Sequence, residues 1–194
     1  MKQSIDVSVA DRATVNDLRD QLAHVYRIAF EEFGEPPEAA EHFRTGQLPK
    51  HVEREGFRFA LARETGDAGR VVGFAYGYTG DFGQWWTDRV ARLAPAEIAE
   101  RWLGGHFEFV ELAVDPAVRG RGIGTALHDL LLEDLPHRVA LLTTYRDRDL
   151  AAPRLYRRKG WRVLVSPLDP NNDLYGLDLP NLPNLPPAGT QPRS

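Results

Sequence analysis

Gly120, Gly122 and Gly124 stand at alternate positions of the run VDPAVRGRGIGTAL (Val114 to Leu127), with Arg119 and Arg121 between them. Glycine removes the side chain and lets a ligand approach the backbone, and arginine favours an anion. The run follows an apolar stretch, FEFVELAV, and leads into an apolar-periodic one, IGTALHDLLLEDL. A strand–loop–helix of this kind aims consecutive N–H groups into one concavity at a helix N-terminus, a cradle for a pyrophosphate. The arginines could add charge-assisted contacts to it. A P-loop needs Gly-x-x-x-x-Gly-Lys-Ser/Thr, and no such run occurs. A dinucleotide fingerprint needs a third glycine three positions after the second, where this chain has Thr125 or Leu127. What remains is Arg-x-x-Gly-x-Gly, and a glycine-rich turn with solvated arginines stays open on the local pattern.

Other chemistry is bounded by composition. The 194-residue chain has no cysteine, which excludes disulfides, zinc-thiolate sites and thiol nucleophiles. His106 and Glu108 begin a His-x-Glu motif, but the zinc deaminase pattern that starts this way requires Pro-Cys-x-x-Cys. No His-Glu-x-x-His spacing occurs, so no metal is expected, and His128 and His137 read as surface residues. A net charge of -4 argues against a nucleic-acid partner. No signal-type or membrane-spanning apolar run is present, so a cytoplasmic protein without membrane contact is expected.

The elements that must position the loop follow from periodicity. SIDVSVA (Ser4 to Ala10) alternates as a half-buried strand. Thr14 with Asp17 resembles a capping box, opening a helix through Val15, Leu18, Leu22, Val25 and Ala29. PPEAAEHFRTGQL starts a second helix with proline in its first turn. GFRFALARE and RVVGFAYGYTG form a hairpin. The segment 81–105 is too long for a tight connection and reads as a lid or binding loop carrying the helix APAEIAERWL. HFEFVELAV is a strand, Ile123 to Leu135 a helix, HRVALLTTY a buried strand, DLAAPRLYRRKG a helix, and WRVLVSP and DLYGLDL two closing strands. One domain over 1–179 is expected, with a proline-rich, disordered tail at 180–194. The alternation of elements indicates an α/β or α+β domain.

LAVDPAVRGRGIGTAL resembles the acetyl-CoA-binding motif of the GNAT superfamily (GCN5-related N-acetyltransferases), through Arg119, Gly122 and Gly124. DLAAPRLYRRKGW resembles the family's downstream pattern through Ala152, Leu155, Tyr156, Gly160 and Trp161, with Asp149 where asparagine is usual. The resemblance covers about residues 107–161. It implies a mixed, mostly antiparallel sheet of about six to seven strands flanked by helices, with splayed central strands. The implied ligand is the pyrophosphate of coenzyme A, held around Arg119, Gly120, Arg121, Gly122, Ile123, Gly124 and Thr125. Leu112, Ala113 and Val114 would pair with the pantetheine arm, and Asp149 stands at a cofactor-contact position.

The same resemblance implies direct attack of an amine on the thioester. Tyr156 then stands as donor to the departing sulfur, and Glu108, three positions before Glu111 on one strand, as the base. Strict alternation puts these two glutamates on opposite faces, with Glu111 facing away toward a basic group, unless a bulge intervenes. A water chain is the third option for the base. The acceptor region is expected at Phe30–Arg44 and in the insertion, where Trp85, Trp86 and Trp102 could wall an amine, or equally pack the insertion onto the domain. Glu31, Glu32, Glu35 and Asp81 could attract a cation. The expected function is N-acetylation of a small-molecule primary amine. Acetylation of a protein N-terminus or lysine, or a non-catalytic acyl-CoA-binding module, are the alternatives. Homodimers are common in the family.

Overall fold

The computed structural model describes residues 4–66 and 69–180, so the tail expectation lies, Pro180 apart, outside the described residues. Seven strands run in the order β1-β2-β3-β4-β5-β7-β6. They are β1 Ile5–Val9, β2 Arg58–Glu64, β3 Val71–Gly80, β4 His106–Val114, β5 Val139–Tyr145, β6 Arg162–Val165 and β7 Asn172–Asp178. The pairs β1–β2, β2–β3, β5–β7 and β6–β7 are antiparallel, and β4–β5 is parallel. This is the mixed sheet that the sequence led us to expect. The helices are α1 Arg12–Asp17, α2 Arg19–Phe30, α3 Pro37–His42, α4 Leu48–Val52, α5 Trp85–Leu93, α6 Ala96–Trp102, α7 Ile123–Leu132 and α8 Ala151–Arg158. The chain divides into two compact units, Met1–Tyr78 with Phe109–Glu133, and Thr79–Glu108 with Asp134–Ser194.

In the first unit, Val15, Leu22, Val25, Ala29, Phe43, Leu48 and Val52 of the helical layer close over Phe59, Leu61, Phe74, Tyr76 and Ala113 of the strands. Phe59 pairs across the hairpin with Tyr76 and Leu61 with Phe74, so one face of the hairpin is aromatic and buried. The first helix is capped by Asp11, which accepts from Thr14 N–H at 2.8 Å, and the chain re-caps at Leu18. The capping box expected at Thr14 is therefore replaced by a cap three residues earlier. Pro37 opens α3, as its position implied, and a π-helical turn over Phe43–Gln47 joins it to α4. On the other face of the hairpin lies α7. A Cβ on Gly73 would stand 3.1 Å from Leu127 Cδ1 and 3.5 Å from Ile123 Cγ2, so glycine lets that helix sit close. Arg58 reaches the same helix, donating to Leu130 O at 3.0 Å.

In the second unit, β4 and β5 pair at Phe107–Ala140 and Glu108–Leu141, and β7 lies between β5 and β6. The insertion holds two helices where the sequence indicated one. In α5 the buried Thr87 and Val90 supply an inward stripe that the adjacent tryptophans mask in a periodicity reading. Val90, Trp102 and Leu103 pack with Leu141, Leu168 and Leu174, so this segment contributes to the core of its unit. Trp102 is structural, whereas Trp85 is 69% exposed. Gly176 makes room for the Trp102 indole, because a Cβ there would come 2.7 Å from Trp102 Cζ3 and 2.6 Å from Leu164 Cδ1. Gly176→Ala should therefore cost about 1–3 kcal/mol of stability through overpacking, read as a lowered melting temperature. An unchanged melting temperature would mean that the indole is not held there.

Two histidine assignments are corrected. His128 is 3% exposed on the sheet side of α7, 5.9 Å from the Phe109 ring and 2.9 Å from Asp129 Oδ1. His137 is 8% exposed, because α7 ends at Leu132 and the following segment turns inward. Its Nε2 lies 2.9 Å from Thr79 Oγ1, and burial lowers its pKa. Neither is a surface residue.

Candidate functional site

The glycine loop is built in the first unit. Asp115, almost fully buried, ends β4: its N–H donates to Val72 O at 2.9 Å and its carboxylate accepts from Ala117 N–H at 2.8 Å. Arg70 Nη1 binds the same carboxylate at 2.8 Å and holds Glu64 at 3.0 Å, so the start of the loop is fixed by charge-assisted bonds. Pro116–Val118 then forms one 3₁₀ turn. Gly120 and Gly122 both adopt left-handed backbone, at φ +77° and +78°, which residues with a Cβ rarely take. A Cβ at either would find no described atom within 4 Å, so it is the left-handed backbone and not crowding that calls for glycine here.

Gly122 is the N-cap of α7 and supplies no side-chain cap, so the first amides of this ten-residue helix are unclaimed by a side chain. An uncapped helix start behind two left-handed glycines suits a pyrophosphate, so the residues present fit a coenzyme A moiety. The Ile123 side chain is buried in the core, leaving only its N–H for a ligand, while Gly124 and Thr125 lie in the first turn of the helix. Arg121 is exposed at the loop's rim. Arg119 behaves otherwise, since its guanidinium donates to Ala29 O at 3.0 Å and pairs with the Glu32 carboxylate.

The strand before the loop carries the most perturbed acid of this unit. Glu111 is half-buried by solvent exposure, and desolvation first, with the carboxylate of Glu35 second, pushes its carboxyl up to about 8. The basic neighbour foreseen for Glu111 is thus an acidic one. Val110 and Ala113 both pack on the core beneath α2, although they are an odd number of positions apart, so β4 leaves strict alternation here. Leu112 and Val114 are half-buried and Ala113 is buried.

The second unit holds the remaining candidates. Glu108 is 4% exposed on the paired part of β4. His106 is fully buried with its ring 5.8 Å from that of Trp86, and burial lowers its pKa to about 3, so it is neutral near pH 7. Tyr156 lies on α8, 5% exposed, edge-on to Trp161 at 5.7 Å and 6.5 Å from Tyr175. Pro153 falls in the first turn of α8, where a missing N–H costs nothing. Asp149 is exposed in the turn before α8, its N–H donating to Asp147 Oδ1 at 3.0 Å. Among the described residues, no group of three His, Asp or Glu is arranged to hold a metal, and no helix is long and apolar enough to cross a membrane.

Sequence reasoning missed the Glu35–Glu111 relation and the internal partners of Arg119. Both join residues far apart in the chain, and only the pairing of Glu35 with a short acidic turn (Glu31, Glu32) hinted at the first.

The site thus consists of a mixed sheet and a glycine-built loop that leads into a helix start without a side-chain cap. The Acetyltransferase (GNAT) family model matches residues 20–161, and the chain belongs to that family. A GCN5-like protein acetyltransferase of Mycobacterium tuberculosis is 31% identical over 159 residues, 66% of this chain and 75% of that protein. Among solved structures, a GNAT-family acetyltransferase from Staphylococcus aureus Mu50 superposes with a TM-score of 0.62 at 16% identity, covering 91% of this chain and 100% of that one. The PaiA N-acetyltransferase of Thermoplasma acidophilum, solved in complex with coenzyme A, gives 0.55 at 13% identity, covering 90% and 99%.

Proposed function

We propose that this protein is a cytoplasmic enzyme that transfers acetyl from acetyl-CoA to the primary amine of a small molecule, by direct attack in a ternary complex. The observation that supports the cofactor is the loop itself: two left-handed glycines lead into a helix start whose N-cap offers no side chain to its first amides. In the reaction, the amine nitrogen forms a bond to the acetyl carbon, the carbon–sulfur bond breaks, and the amine gives up a proton.

A lysine-like amine, with a pKa near 10.4, reaches the site mostly protonated and needs a base. We assign that base to Glu111 in preference to Glu108, because a carboxyl with a pKa of about 8 is matched to proton transfer near neutral pH. The incoming cation would itself favour the carboxylate form. Tyr156 is the proposed proton donor to the departing thiolate.

Titration calorimetry with acetyl-CoA, against ATP and NAD as controls, tests the cofactor. Selective acetyl-CoA binding supports the reading, and its absence in folded protein removes it. Tyr156→Phe should then lower turnover by about 10²-fold, within the usual range for losing an acid–base group, with acetyl-CoA affinity kept. Unchanged turnover would remove the leaving-group role.

A second reading, acetylation of a protein lysine or N-terminus, is favoured by the name of the Mycobacterium tuberculosis relative. Thiol release measured with a panel of small amines beside lysine-containing peptides separates the two.

A further inference from the structure

We propose that Arg119 is a positioning residue that ties the glycine loop to the end of α2 and the turn beyond it, so that an occupied loop fixes the acceptor-side segment Glu31–Glu35. The proposal rests on the acetyl-CoA reading of the loop and assigns its arginine a task other than gripping phosphate.

The backbone of Arg119 belongs to the loop, directly before Gly120, and its N–H donates to Pro116 O at 3.3 Å. Its side chain turns away from the loop to protein partners. Nη2 donates to Ala29 O at 3.0 Å, a carbonyl of the last turn of α2. There a cation completes the hydrogen bonding and complements the helix dipole. Nη1 pairs with the carboxylate of Glu32, in the 3₁₀ turn Glu31–Phe33. The rigid guanidinium fork suits two divergent acceptors in a way a lysine could not. Both Nη atoms are thereby committed to protein acceptors, which orients the guanidinium toward α2 and its following turn.

What the tether holds is consequential. The turn ends at Gly34, left-handed at φ +78°, whose N–H returns to Glu31 O at 3.1 Å, and the next residue is Glu35. Glu35 is the charge that acts on Glu111. Loop, arginine, turn and both glutamates all lie in the first unit. Exposed ion pairs of this kind contribute little to stability, so the tether is weak as a stabiliser of the fold. Its effect is coupling, and coupling is reciprocal: a loop held by cofactor holds the turn, and a held turn favours the cofactor-bound loop.

Hydrogen–deuterium exchange with and without acetyl-CoA, together with calorimetric Kd values, tests this on the full chain. In the wild type, acetyl-CoA should slow exchange in both 119–125 and 29–36. In Glu32→Gln, and more completely in Arg119→Met, the loop should still be protected while protection of 29–36 is lost. The Kd for acetyl-CoA should rise by about threefold or less, under 1 kcal/mol. Two results overturn the proposal: protection of 29–36 that survives in both variants, or an Arg119→Met loss of affinity beyond about tenfold (1.4 kcal/mol), the mark of a phosphate ligand. Glu32 is half-exposed, so its glutamine variant keeps the test valid if Arg119→Met folds poorly. A wild type that fails to bind acetyl-CoA overturns the cofactor reading itself, an outcome distinct from either variant result.

Discussion

Gly122→Asp should weaken acetyl-CoA binding by about 10²-fold or more and leave the fold standing. Gly122 occupies the N-cap of α7 at φ +78°, and the space a Cβ would enter is open. A side chain there clashes with no described atom, and a carboxylate on it would stand at the helix start proposed to take the pyrophosphate. The left-handed backbone costs an ordinary residue about 1–2 kcal/mol, and aspartate is among those that tolerate it best. The melting temperature therefore falls by only a few degrees. Binding suffers far more, since a carboxylate set against a pyrophosphate costs several kcal/mol in like-charge juxtaposition, so Kd rises by about 10²-fold or beyond. Gly122→Asn, matched in size and neutral, isolates the charge: it should bind acetyl-CoA more weakly than wild type and much better than the aspartate variant. Calorimetry with all three proteins decides the matter. An aspartate variant that binds normally would show that the loop has been assigned the wrong ligand.

The loop was readable from sequence because its requirements are local. Left-handed turns demand glycine at 120 and 122 whatever the rest of the chain does, and the helix that follows announces itself through Ile123, Leu127 and Leu131. The hairpin β2–β3 was readable for the same reason, since alternation puts Phe59 and Leu61 on one face of their strand and Phe74 and Tyr76 on one face of theirs, while the pairing of Phe59 with Tyr76 emerges only in the fold. Periodicity failed where neighbours distant in sequence decide the outcome. His128 and His137 look like surface residues in their own segments and are buried because the rings of Phe109 and Phe107 lie against them. Trp102 offers an amine-binding surface on paper, yet the missing Cβ of Gly176 on β7 takes up its indole. In β4, the irregularity that lets Val110 and Ala113 meet one core cannot be seen in FEFVELAV, where every position fits a regular strand. Alternation set Glu111 aside on that account, and the charge beside it, Glu35, lies in a turn after α2.

Glu111→Gln should be the most damaging conservative change in the first unit outside the loop, and also a stabilising one at alkaline pH. Removing a general base typically costs about 10²–10⁴-fold in rate, and glutamine keeps the shape while losing the ability to accept a proton. With Glu111 pushed up to about 8, the wild-type enzyme is mostly protonated below that pH and competent above it. Its kcat/KM therefore rises with pH through about 8, measured with whichever amine the thiol-release panel selects.

In Glu111→Gln that limb should vanish together with most of the activity. A limb that persists near 8 in the glutamine variant would assign it to the acceptor amine or to Glu108, which Glu108→Gln then separates. Stability supplies a readout independent of any acceptor. The folded carboxyl keeps a proton that the unfolded chain releases near its ordinary value of 4.5, so the folded state binds more protons between 4.5 and about 8. Wild-type stability accordingly falls as pH rises across that window, and the loss is complete above it. Glutamine carries no such proton, so Glu111→Gln should melt higher than wild type at pH 9 and much closer to it at pH 4. A variant that is less active yet more stable at high pH marks Glu111 as a group whose burial serves chemistry at the expense of the fold. Equal melting temperatures at pH 9 would show instead that this carboxyl is solvated, and the assignment of the base would then return to Glu108.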